Sequence, residues 1–295
     1  MNGAGRRLGP NVGMDIPTLP PAFVSHGSPM TALEPREAGH WWRQLGEHLA
    51  ATGARPRAVL VASAHSLTRE PVLLAAPRHE AVHDFGGFDP RLYAMRYDAP
   101  GAPALAERAA TLLRGAGLPV HVLPQGGLDH GIWVPLRELF PAADVPVLPL
   151  AWPPGWSPAQ LFALGQALAP LVAEGVWVLG SGSITHNLRR VFAGGLRGRE
   201  DAPATPESTA FRDWFAERGA AADWAALLGW REAAPHGVDM HPSDEHLLPF
   251  YVAAGAAAAD GPPQALRLHQ SLTFGELGMD AYAFGPQAGR LALPA

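Results

Sequence analysis

Short, almost wholly apolar runs rich in β-branched residues alternate along this chain with longer amphipathic segments, and that alternation limits its fold more than any other feature. A short run without a polar face suits a strand covered on both sides, and the longer segments suit the helices that connect such strands. The strand-like runs are Ala22 to Ser25, Ala58 to Ser63, Val145 to Leu150 and Val176 to Leu179, with Val72 to Ala75 and Val120 to Leu123 as further candidates. Helical spacing marks Arg36 to Ala51, Ala104 to Gly115, Pro158 to Ala173 and Pro206 to Leu228. An α/β fold is expected. The 31 prolines and 33 glycines fall mostly between these segments, and no repeat or boundary divides the chain. We expect a flexible N-terminal extension over residues 1–17, with Met14 a candidate natural start, and a single domain over residues 18–295.

Hydrophobic residues make up 47% of the 295 positions, enough to build one large core. The 27 acidic residues exceed the 22 basic ones, the formal charge is -5, and no basic run tracks phosphates, so nucleic acid is not an expected partner. No stretch has the length of a membrane span, and the N-terminus lacks the apolar stretch of a signal peptide, so a soluble, cytoplasmic protein is expected. Cysteine is absent, which excludes disulfides and leaves any metal to nitrogen and oxygen donors.

Histidine supplies such donors. The first strand-like run leads into His26, the second into Ala64-His65, and Val176 to Leu179 leads through Gly180-Ser181-Gly182-Ser183-Ile184-Thr185 to His186. Ligands of open α/β sheets gather beyond the carboxyl ends of the strands, where rigid Cβ positions can aim several imidazoles at one ion. The Gly180 to Gly182 stretch does not complete a dinucleotide fingerprint, since position 185 is threonine, and no serine sits in a nucleophile elbow.

Three further clusters mix titratable groups with glycine, proline or aromatics: His83-Asp84-Phe85-Gly86-Gly87-Phe88, Leu128-Asp129-His130-Gly131-Ile132-Trp133 and His241-Pro242-Ser243-Asp244-Glu245-His246. Taken in order with Val24 through Met30, Ser63-Ala64-His65, Gly180 through Leu188 and the tail Met279 to Phe284, they resemble the class III extradiol ring-cleavage dioxygenases of the LigB type, in the DOPA 4,5-dioxygenase-like branch.

The resemblance implies a central mixed sheet flanked by helices, and a non-haem ferrous centre, Fe(2+), that opens a catechol-type, DOPA-like diol with O2. It implies His26 and His65 as metal ligands, with His246 where other members carry a glutamate. Glu245 and His241 remain alternatives for that third position, although neighbouring helical side chains diverge by about 100°, which argues against Glu245 and His246 both reaching the metal. An all-imidazole set also suits zinc, Zn(2+), so a zinc-dependent hydrolase or a non-catalytic metal-binding protein is the alternative. The resemblance further implies His186 as proton carrier and His130 as a second active-site histidine. His83, Asp84 and Phe88 are expected to line the substrate entrance.

Overall fold

Eight strands form one mixed sheet: β1 (Ala22–Ser25), β2 (Ala58–Leu67), β3 (Val72–Leu74), β4 (His121–Leu123), β5 (Val147–Trp152), β6 (Val176–Gly182), β7 (Ala265–His269) and β8 (Ala281–Phe284). They are seen in a computed structural model that describes residues 18–294 except 194, 196 and 197; the extension expected over residues 1–17 lies outside the described residues. The strand order is β4-β3-β5-β2-β6-β1-β8-β7. The central four, β5, β2, β6 and β1, are mutually parallel, while β3 joins β5, and β8 joins β1, antiparallel.

Period-two alternation along the central strands feeds two cores. Val59 and Val61 face one core and Leu60 and Ala62 the other; Ala22 and Val24 oppose Phe23, and Trp177 and Leu179 oppose Val176 and Val178. Helices α1 (Arg36–Ala51), α2 (Pro103–Gly115), α3 (His130–Leu139), α4 (Pro158–Leu168), α5 (Pro206–Ala220) and α6 (Pro249–Ala256) cover the two faces. α1 and α3 close one core, and α2, α4, α5 and α6 close the other. Truncating Leu60 or Phe23 to alanine would cost about 2–5 kcal/mol, since each is fully buried.

The elements differ from expectation at identifiable points. The segment Pro158 to Ala173 is two helices, because Pro170 starts a new turn (Pro170–Ala173). Pro206 to Leu228 is interrupted where Ala222 takes φ +52, and it restarts at Trp224–Leu228 beneath an Asp223 cap. β2 continues through His65 to Leu67, so that histidine lies within the strand and not after it. Helix α3, helix α6 and the strands β7 and β8 were not anticipated as elements.

Candidate active site

Register brings the histidines together. Ser63 of β2 pairs with Ser181 of β6, and Ser25 of β1 pairs with Gly182, so the carboxyl ends of three parallel strands lie level. His26 follows β1 directly, with Gly27 at φ +67 turning the chain away where a Cβ would meet Met279 Cε at 2.7 Å. His65 lies two residues beyond Ser63, and its Nε2 is 3.0 Å from His26 Nε2.

His246 arrives from the opposite end of the sequence. It sits in a turn before α6, not within a helix, and the two glycines of β6 admit that turn onto the strand. A Cβ on Gly182 would lie 1.9 Å from the His246 carbonyl oxygen and one on Gly180 would lie 2.3 Å from that of Pro249. The Ser183 amide donates to the His246 carbonyl at 2.8 Å. The glycines that could have suggested a phosphate loop therefore serve close backbone packing.

One ring nitrogen each from His26, His65 and His246 lie within 4.8 Å of one another. Burial, followed by the neighbouring imidazoles, drives the His26 ring well below its ordinary pKa and takes His65 to about 3. Both rings are neutral near pH 7 and offer lone pairs, so this donor set fits a first-row divalent metal such as iron or zinc.

His186, with its backbone amide bonded to the Met240 carbonyl at 2.9 Å, stacks on His246 with ring centroids 3.5 Å apart and planes 7° from parallel. Burial, then His246, lowers its pKa well below the ordinary value. His130, the first residue of α3, approaches His65 to 4.0 Å and His26 to 5.3 Å between centroids.

Asp84, expected at the substrate entrance, is exposed and bonded to His130. Both its oxygens lie 3.0 Å from His130 Nδ1, and Oδ1 also accepts from the His130 amide at 3.0 Å. Burial raises the Asp84 carboxyl, but the hydrogen bonds and charge of His130 outweigh it and leave the group below its ordinary pKa. His83 bonds the Met95 carbonyl at 3.2 Å through Nε2 and packs on Phe85, Tyr93 and Trp133. Phe88 packs against Phe85, whose ring lies perpendicular to that of His130 with centroids 5.8 Å apart. Of the two open alternatives for the third donor, Glu245 accepts from His246 Nδ1 at 3.0 Å, which takes its carboxyl to about 2, while His241 is buried against Phe211 and Trp230 with Nε2 on the Ile184 carbonyl at 2.7 Å.

Residue-type reasoning missed the polar shell behind these rings. Asp129 receives Ser63 at 2.7 Å and Ser66 at 2.6 Å, clamping the strand on either side of His65, and burial pushes its carboxyl above the ordinary value against those two bonds. Ser181 contacts His26 Nδ1 at 3.0 Å. The sequence signals available were the serines flanking His65 and the aspartate preceding His130.

Residues 20–285 match the family described as the catalytic LigB subunit of aromatic ring-opening dioxygenase. The chain belongs to the LigB family. Among LigB-type relatives, a 4,5-DOPA dioxygenase extradiol of Beta vulgaris is 36% identical over 267 residues, spanning 89% of this chain and 95% of the relative. One of the same name from Escherichia coli K12 is 34% identical, spanning 82% and 87%. The crystal structure of an uncharacterised protein from Escherichia coli K12 superposes with a TM-score of 0.68 at 27% identity, covering 90% of this chain and 98% of that one. The LigB fold and the mixed sheet therefore agree with what the sequence implied. Among the described residues no helix is long and apolar enough to cross a membrane.

Proposed function

We propose that this chain is an extradiol ring-cleaving dioxygenase that opens a catechol-type, DOPA-like diol with dioxygen at a non-haem metal held by His26, His65 and His246. The observation that carries the reading is the convergence of three imidazole nitrogens within 4.8 Å at the carboxyl ends of parallel strands. The names of the Beta vulgaris and Escherichia coli relatives support the substrate class. Ferrous iron bound there supplies the redox chemistry that couples a diol to dioxygen.

The remaining residues bind, orient and move protons. His186 bears no hydrogen bond on its ring among the described residues, and burial keeps it neutral, so a ring nitrogen can take a diol proton. Once charged, the same depressed pKa makes it a ready donor for returning that proton. Asp84 accepts from His130 Nδ1 and leaves Nε2 of that ring for a substrate oxygen. Phe85, backed by Phe88 and Tyr93, forms an apolar wall beside His130 that shields the diol from water.

The test reconstitutes metal-free protein with ferrous iron, supplies a panel of catechols including DOPA, and follows oxygen uptake with product absorbance. Stoichiometric oxygen consumption is expected. The absence of a carboxylate from the His26, His65 and His246 set also favours zinc and hence a hydrolase as the second reading. Turnover undiminished under anaerobic conditions would establish that reading instead.

A further inference from the structure

Proline 135 lies inside helix α3, and its nitrogen has no hydrogen to give the carbonyl four residues earlier, that of Gly131. The Ser181 hydroxyl takes that place and donates to the Gly131 carbonyl. A carbonyl can only accept, so the single hydroxyl proton of Ser181 is committed there. His26 Nδ1 lies 3.0 Å from the same Oγ, and a hydrogen bond at that contact requires the ring to be the donor. His26 therefore carries its proton on Nδ1 and bares Nε2, the atom that faces His65.

We propose that Ser181 is a positioning residue that holds His26 in its Nδ1–H form, with Gly131 and Pro135 supplying the orphan carbonyl that fixes the direction of the serine hydroxyl. The proposal rests on the reading of His26 as a metal donor, for which a bare Nε2 is the form required. A second feature of the same elements supports it. A Cβ on Gly131 would lie 2.6 Å from Ser63 Oγ and 3.0 Å from His26 Nδ1, so the helix approaches the ring as closely as a glycine permits. The neighbouring donors differ in how they are held. His246 has Glu245 on its Nδ1 at 3.0 Å, whereas the nearest carboxylate to His65 Nδ1 is Asp84 at 3.9 Å. Serine is thus the neutral counterpart, at His26, of the carboxylate that orients His246.

The experiment uses the full chain with 15N-labelled histidine, stripped of metal, and reads each ring's protonated nitrogen from long-range proton–nitrogen correlations near pH 7.5. Titration with zinc chloride then gives affinity and stoichiometry. Wild type is expected to show His26 in the Nδ1–H pattern. Ser181→Ala is expected to convert His26 to a mixture of the two forms and to weaken zinc binding about 10- to 100-fold, with His246 keeping its pattern. A His26 signal in the Nε2–H form in wild type overturns the proposal, as does a Ser181→Ala protein with unchanged His26 pattern and unchanged zinc affinity. The metal-free wild-type spectrum decides the question even if the variant does not fold. Wild type that binds no zinc or iron would instead sink the metal-centre reading, and the spectrum would still judge Ser181.

Discussion

Gly131 is the position where one added carbon reaches most of the site at once. Its Cβ would press on Ser63 Oγ, His26 Nδ1 and, at 3.1 Å, Asp129 Oδ1. Gly131→Ala is expected to cost roughly 1–3 kcal/mol through overpacking and to lower metal retention, as checked by thermal melting and metal analysis after dialysis. The histidines themselves divide by role. His26→Ala or His65→Ala should lose the metal, whereas His186→Ala should retain it and lose turnover by about 10²-fold, measured by metal content beside oxygen uptake. Equal metal loss in all three would make His186 a ligand. The sequence showed the histidines because three of them follow closely on short apolar runs that are legible as strands. It did not show their hydrogen-bond partners, since His26 and Ser181 stand 155 positions apart and meet only through strand register. The bond between Asp84 and His130 was hidden for a related reason: the two stand 46 positions apart and meet only in the fold.

At the level of elements, the turn carrying His246 is held against β6 by backbone contact that only glycine allows. Gly182→Ala is expected to displace that turn, because its Cβ would fall inside the His246 carbonyl. Each kcal/mol lost should lower the melting temperature by about 2–4 °C for a domain of this size, and zinc affinity should fall in parallel. Unchanged affinity in a Gly182→Ala protein would mean that His246 does not depend on this contact. The central strands were legible because they are short, apolar and buried on both faces. Helix α3 was not, because Gly131 and Pro135 contradict helix propensity; it is stabilised by packing of Ile132, Trp133, Leu136 and Leu139 against α1 and the sheet. The strand β8 is short and flanked by glycine, and only its antiparallel pairing with β1 makes it a strand.

Across the whole molecule, acid stability depends on histidines held neutral away from the proposed donors as well as at them. His241 is buried with its pKa lowered to about 4, and burial likewise takes His269, stacked on Trp41, to about 4, against 6.5 for the free side chain. The folded-state values lie below the unfolded value, so between pH 6.5 and 4 the unfolded chain binds more protons. Their contribution is complete above pH 6.5 and shrinks as pH falls toward 4. Carboxylates act lower: Glu245, with a folded value of about 2 against 4.5, loses its contribution only below pH 4.5. Metal-free protein should therefore lose a few °C of melting temperature between pH 6.5 and 4.5, before carboxylate titration dominates. His269→Gln removes one of these groups at a position where Nε2 bonds Ser271 Oγ at 2.7 Å, a contact glutamine can replace. That variant should show a shallower decline across the same interval in scanning calorimetry. An identical slope would mean that His269 binds protons equally in the folded and unfolded chains, with no lowering of its folded pKa.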